Sequence, residues 1–310
     1  MQYATDSMRL ALLFSGQGQQ TSEHLSFLRE HADREMSDVL AKSLGNVWTE
    51  SNQASTDLST NIIAQSMIFG FEMVWWEKLM PYLPTPICAA GYSLGEMAAC
   101  SAAGLFTYQI GVALCHERAS LMDSNAAEPV TMLAVLGLNE DKVAAIASQS
   151  GFSIAIRNSP THFVVTGAEA GVNNAASGFE AAGATKLTPI AVKTPSHTHL
   201  LKTASAAFAE TLAPYTQGNL LFPVISAVTG KMAFTGRDAA AALATQISSM
   251  LHWDDALETI VEMQPDVVLE IGPGNALSKM LSEFAPSIPV RSVCDFKSPQ
   301  GVLNWLSRFN

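Results

Sequence analysis

The chain has 310 residues, of which 48% are apolar, and a formal net charge of −11. That length and composition suit one large domain or two modest ones around a sizeable core, and the acidity argues against nucleic acid as the main partner. The longest apolar stretch, Ile87 to Phe106, is interrupted by Glu96, so no membrane span is expected.

At the N-terminus, Asp6 and Arg9 precede only five apolar residues, Leu10 to Phe14, too short a core for a signal peptide. The four cysteines, Cys88, Cys100, Cys115 and Cys294, show no C-x-x-C spacing and read as reduced thiols. A cytoplasmic protein is the expectation.

Residues 9–14 form a first buried strand that runs into Ser15-Gly16-Gln17-Gly18. No dinucleotide or Walker pattern follows, which weakens a phosphate-binding reading of the Gly-x-Gly turn. The other reading is a loop that aims a backbone N–H into a cleft at the strand's carboxyl end. Residues 23–47 look helical and polar, and residues 59–80 predict a long apolar helix ended by Pro81, Pro84 and Pro86.

Next comes Ile87-Cys-Ala-Ala-Gly91-Tyr92-Ser93-Leu94-Gly95-Glu96, an apolar strand entering Gly-x-Ser-x-Gly and then a run of good helix formers. Strand, tight turn and helix are the context of a nucleophile elbow. Ser93 would stand at the strand's end, near free N–H groups at the start of the following helix. A further helix over residues 108–124 carries Arg118, 25 residues after Ser93. Spacing alone reads that arginine as a solvated helix residue.

The character of the chain changes near Glu128-Pro129. Strands are expected at 130–138, 153–158, 163–167 and 186–190, with helices at 139–150 and 168–182. That β-α-β-β-α-β order is ferredoxin-like and suggests a small domain inserted into a larger α/β one. The larger one resumes with helices over 198–213, 238–251 and 255–263, strands at 222–227 and 267–271, and a Gly272-Pro-Gly-Asn turn into a last helix.

A serine nucleophile needs a base in hydrogen-bond reach, oriented through its other nitrogen. Of seven histidines, His197 is the best candidate, because it follows Pro195-Ser196 at a helix start. Asp254, Asp255, Glu270 or a backbone carbonyl could orient it. His197-x-His199 lacks a third ligand nearby, so no metal is expected.

Taken together, Gly16-Gln17-Gly18, Gly91-Tyr92-Ser93-Leu94-Gly95-Glu96, Arg118, Asn158-Ser159-Pro160, Ser196-His197 and Gly272-Pro273-Gly274 resemble the malonyl-CoA:acyl carrier protein transacylases over residues 9–295. Within that family the likeness is to the malonate decarboxylase epsilon subunit. Tyr92 stands where fatty-acid-synthesis members usually carry His, and the stretches Thr194–Leu200, Ile225–Gly230 and Ile271–Ala276 look like that subfamily.

The resemblance implies an α/β-hydrolase-like core, residues 1–127 and 195–310, with a ferredoxin-like small subdomain at 128–194. It implies Ser93 as nucleophile, His197 as general base, and the backbone N–H groups of Gln17 and Leu94 as oxyanion hole. Arg118 would bind the malonyl carboxylate, and Asn158 and His252 would also face substrate. His252 stands where relatives often carry Gln, just before Trp253. No bound cofactor is implied. Malonyl-CoA would be the donor and a carrier protein's prosthetic thiol the acceptor, the carrier being that of malonate decarboxylase. The alternatives are a housekeeping fatty-acid transacylase, a serine hydrolase or thioesterase on the same elbow, and a carrier-binding module in which Ser93 is structural.

Overall fold

The computed structural model describes residues 8–49, 57–126 and 128–309. β1 (Leu10–Phe14) leads to α1 (Ser22–His31), α2 (Arg34–Leu44), α3 (Asn46–Thr49) and the long α4 (Asn61–Leu79). β2 (Cys88–Gly91), α5 (Gly95–Ala102) and α6 (Tyr108–Ser124) follow. Then come β3 (Val130–Leu136), α7 (Glu140–Gln149), β4 (Phe152–Ser159), β5 (His162–Ala168), α8 (Val172–Ala181) and β6 (Lys186–Ile190). The chain returns through α9 (Lys202–Leu212), β7 (Asn219–Ile225), β8 (Met232–Thr235), α10 (Gly236–Thr245), β9 (Leu251–His252) and α11 (Trp253–Glu262). It ends with β10 (Val267–Ile271), α12 (Ala276–Phe284), β11 (Val290–Ser292) and α13 (Pro299–Leu306).

Two sheets result. The six-stranded sheet runs β11-β10-β1-β2-β7-β8 and is parallel except at β8. Its central strands β1, β2 and β10 are buried on both faces, as helix-covered parallel strands are, and apolar but for the buried Glu270 of β10. Register places Phe14 beside both Ile271 and Gly91, so the loops after β10, β1 and β2 leave the same edge of the sheet. That edge, the carboxyl ends of parallel strands, is where open α/β sheets bind ligands.

The five-stranded sheet runs β6-β3-β5-β4-β9 and is antiparallel except where β9 joins β4. One face packs on α7 and α8 around Val135, Phe163, Val165 and Phe179. The other shares a core with the large sheet through Met132, Ile156 and Val164, which meet Ala90, Ile225 and Trp253. Full burial of a large apolar side chain contributes about 1.5–3 kcal/mol, so this shared core ties the two sheets together.

The expected helix over 23–47 is three. Ala32 takes an extended conformation, and the Asp33 side chain accepts from the Met36 N–H to start α2. The expected helix over 238–251 stops at Thr245, and Leu251–His252 pairs instead with β4. β8, β11 and α13 were not among the expected elements. Among the described residues no helix is long and apolar enough to cross a membrane, and no group of three His, Cys, Asp or Glu is placed to hold a metal.

Candidate active site

Ser93 sits in the turn between β2 and α5 with φ of 54°, a left-handed conformation that costs a non-glycine residue of order 1–3 kcal/mol. The two flanking glycines make the turn tight enough to impose it. A Cβ on Gly91 would overlap the Glu96 backbone nitrogen, and one on Gly95 would overlap the Phe14 carbonyl. The Tyr92 N–H donates to the Phe14 carbonyl at 2.9 Å, which locks the turn against the end of β1.

His197 is the second residue held in strain, with φ of 64°. Its N–H donates to the Ile247 carbonyl at 2.9 Å and its Nδ1 donates to the Gln246 carbonyl at 2.6 Å. That places the ring proton on Nδ1 and leaves Nε2 as acceptor for the Ser93 hydroxyl, 2.8 Å away. The His197 pKa is lowered to about 3, chiefly by burial, with the Gln246 carbonyl acting against the shift and the Arg118 charge adding to it. The imidazole is therefore neutral and able to accept a proton. A backbone carbonyl, and no acid, fills the third position.

Arg118, on α6, is fully buried rather than solvated. Its Nη1 donates to Gln65 Oε1 at 2.8 Å, its Nη2 makes a long bond of 3.4 Å to Gln246 Oε1, and its Nε has no partner. Burial pulls its pKa to about 10, which leaves it charged at neutral pH. No carboxylate of the described residues pairs with it. The adjacent carboxyl is Glu96, whose pKa burial raises to about 8, so that it is mostly protonated at neutral pH.

Gln246 connects these groups. Besides the two contacts above, its Nε2 donates to the Ser93 carbonyl at 3.1 Å. A second polar string runs from Gln17 Nε2 to Asn61 Oδ1 (3.2 Å), which also accepts from Gln65 Nε2 (2.7 Å). The backbone N–H groups of Gln17 and Leu94 have no hydrogen-bond partner among the described residues.

A cavity of about 200 Å³ opens over Ser93 and His197. Gln17, Tyr92 and Asn158 line it on the polar side, and Met132, Ile156 and Val164 on the apolar side. Asn158, near the end of β4, accepts from the Tyr92 hydroxyl at 3.0 Å. Of the expected site residues, Ser93, His197, Gln17 and Asn158 line the cavity, whereas His252, Arg118 and Leu94 do not. His252 has its backbone fixed by pairing with β4 and by a 2.7 Å bond to the Ala227 carbonyl, and its Nδ1 lies 4.0 Å from Asp255.

Gln65 and Gln246 were absent from the sequence reading, and Glu96 entered it as part of the elbow motif, with no role at the site. Gln65 had a visible signal, an amide inside the apolar run of α4. Gln246 had less, because His197 uses its backbone oxygen, which any residue supplies.

The sequence model of the acyl transferase domain matches residues 13–294. A malonyl CoA-acyl carrier protein transacylase of Haemophilus influenzae is 28% identical over 311 aligned residues, covering 96% of this chain and 99% of that one. The polyketide biosynthesis protein ThaF of Burkholderia thailandensis is 34% identical over 204 residues; the match covers 65% of this chain but only 17% of that relative. Among solved structures, a malonyl-transacylase in complex with its type II PKS acyl-carrier protein superposes with a TM-score of 0.85 at 27% identity, covering 96% of this chain and 99% of that one.

Proposed function

This chain belongs to the acyl transferase domain family, and we propose that it moves malonyl from malonyl-CoA to the prosthetic-group thiol of an acyl carrier protein through a malonyl-Ser93 intermediate. The observation that carries this reading is Arg118, a buried guanidinium with an unpartnered Nε and no carboxylate pairing with it among the described residues. A free carboxylate on the substrate supplies the missing counter-charge, and arginine can bind it bidentately.

In the first half-reaction Ser93 Oγ attacks the thioester carbonyl while His197 Nε2 takes its proton. The N–H groups of Gln17 and Leu94 receive the oxyanion; a donor of this kind is worth about 3 kcal/mol. The tetrahedral adduct collapses, the carbon–sulfur bond breaks, and His197 returns the proton to the leaving CoA thiol. In the second half-reaction the carrier thiol gives its proton to His197 and attacks malonyl-Ser93, and Ser93 leaves with that proton. The malonyl carboxylate also neutralises Arg118, whose charge lowers the basicity of His197. Correct substrate thus raises the basicity of the catalytic base, and an acetyl group, without the carboxylate, does not.

The fold reading that accompanies this is an α/β-hydrolase-like core carrying a ferredoxin-like insertion at 128–194. The strand order β6-β3-β5-β4 supports it, with the four strands joined as β-α-β-β-α-β. For the acceptor we propose the carrier subunit of malonate decarboxylase, on Tyr92 and the stretches around His197, Thr229 and Gly274. A general fatty-acid transacylase shares the chemistry and agrees with the Haemophilus relative's name.

Steady-state kinetics with two carriers test both levels of this proposal. Ping-pong kinetics with a kcat/KM at least tenfold higher for the decarboxylase carrier than for a phosphopantetheine carrier is the expected result. The reverse preference assigns the housekeeping role, and free malonate with no carrier loading assigns a hydrolase.

A further inference from the structure

Tyr92 lies between Gly91 and the nucleophile, yet its side chain serves the other sheet. Its ring packs edge-on against Trp253 with centroids 5.2 Å apart, and its hydroxyl donates to Asn158 Oδ1 at 3.0 Å. The structure places the Asn158 amide with Oδ1 toward the Tyr92 hydroxyl. With Oδ1 toward Tyr92, the NH₂ group faces His162, whose Nε2 lies 3.4 Å from Nδ2. An amide NH₂ only donates, so Nε2 is the acceptor and the ring proton sits on Nδ1.

His162, the first residue of β5, lines two spaces at once. One is the cavity over Ser93; the other is the adjoining outer groove bounded by Leu136, Thr161 and Phe284. It therefore stands on the path by which a thioester arm reaches Ser93 from the surface. No side chain of the described residues accepts from its Nδ1. Burial lowers the ring's pKa, with Glu283 acting weakly the other way, which favours the neutral ring.

We propose that His162, lying between the cavity over Ser93 and the outer groove and facing the Asn158 NH₂ group through Nε2, is a specificity-determining residue whose Nδ1–H hydrogen-bonds an amide carbonyl of the pantetheine arm as it enters toward Ser93. This deepens, and rests on, the acyl-transfer reading of Ser93. CoA and a carrier's CoA-derived prosthetic group both present such an arm, so one contact serves both half-reactions. Tyr92 acts here through Asn158 and is a positioning residue.

The test compares kcat/KM for malonyl-CoA with that for malonyl S-ethyl thioester, which has no amide arm, in the wild type and in His162→Ala, His162→Gln, Tyr92→Phe and the Tyr92→Phe/His162→Ala double variant. His162→Ala is expected to lower the preference for malonyl-CoA about fivefold, the range of one neutral hydrogen bond, and to do so in KM rather than kcat. His162→Gln, which keeps an N–H donor, recovers most of it. Tyr92→Phe lowers the preference two- to threefold, and adding it to His162→Ala changes nothing further. Equal losses on both thioesters, or independent multiplying losses, overturn the proposal. A wild type that consumes neither thioester overturns the transfer reading itself.

Discussion

The two sheets contribute to the site in opposite ways. The parallel strands β1, β2 and β10 are buried along their whole length, whereas β6 of the antiparallel sheet is exposed or half-exposed at every position and β3 is buried only in part. Ser93 and the Gln17 loop, the proposed nucleophile and oxyanion loop, follow the parallel strands, while His197, the proposed base, is held in its own strained turn by Gln246 and Ile247 just after α10. The antiparallel sheet brings Met132, Asn158, His162 and Val164, the wall and polar rim of the cavity. The difference is physical. A left-handed serine or histidine persists only where its surroundings over-determine it, and double burial plus glycine-tight contact does that. None of the described non-glycine residues of the antiparallel sheet is held in a left-handed conformation, so its cavity-facing residues can change without unsettling a strained turn, which suits recognition.

The comparison breaks first, if it breaks, at Gly95. Gly95→Ala pushes a methyl into the Phe14 carbonyl and must displace the elbow. A displacement of about 1 Å at reacting atoms is worth about 100-fold in rate, and strained overpacking about 1–3 kcal/mol in stability. We expect transfer to fall by at least about 100-fold, with a lowered melting temperature. Wild-type activity in this variant would show that the turn is not over-determined.

Arg118→Ala is the next largest. A site built for a polar group rejects the analogue lacking it by about 10⁴-fold, so acylation of Ser93 by malonyl-CoA is expected to fall by about 10³ or more and acylation by acetyl-CoA by less than about tenfold. Equal loss on both donors would mean that Arg118 serves only to hold Gln65 and Gln246. On the antiparallel side, Val164→Ala should cost about 2 kcal/mol of stability through the cavity it leaves. Transfer should fall only a few-fold, with the malonyl preference kept. A catalytic loss rivalling that of Gly95→Ala would erase the distinction between the sheets.

The smallest effects are in pH. The His197 pKa in the folded chain is about 3, below the unfolded value of 6.5, so its contribution to stability is full above pH 6.5 and lost as pH falls toward 3. The Glu96 pKa is about 8, above the unfolded 4.5, so its contribution is full below pH 4.5 and lost as pH rises through 8. Melting temperature should therefore decline on the alkaline side less in Glu96→Gln than in the wild type. The profile of kcat/KM should show no acid limb near pH 6.5 from His197. An acid limb there would place the base in a more solvated setting than the structure gives it.

Much of the site's geometry was legible in the sequence because it rests on local chemistry. The spacing of Gly91 and Gly95 forces the turn at Ser93, and Pro195-Ser196 sets His197 at a loop–helix junction. Arg118 was singled out by the family resemblance and not by spacing, and its burial could not be read, because neighbours such as Glu117 and Ser120 make α6 look like a surface helix. The carbonyl that orients His197 was unreadable, since backbone oxygens leave no mark on residue identity. β8, β9 and β11 were missed because two to four residues give too little alternation to recognise. His252 was placed by its neighbour Trp253 in sequence, whereas β9 pairing decides where it lies.

The most direct test is the intact mass of the protein after brief exposure to malonyl-CoA, with Ser93→Ala and acetyl-CoA as controls. One malonyl adduct is expected, absent in Ser93→Ala and not matched by acetyl-CoA. An adduct that survives in Ser93→Ala, or acetyl loading as complete as malonyl loading, would contradict transfer through malonyl-Ser93.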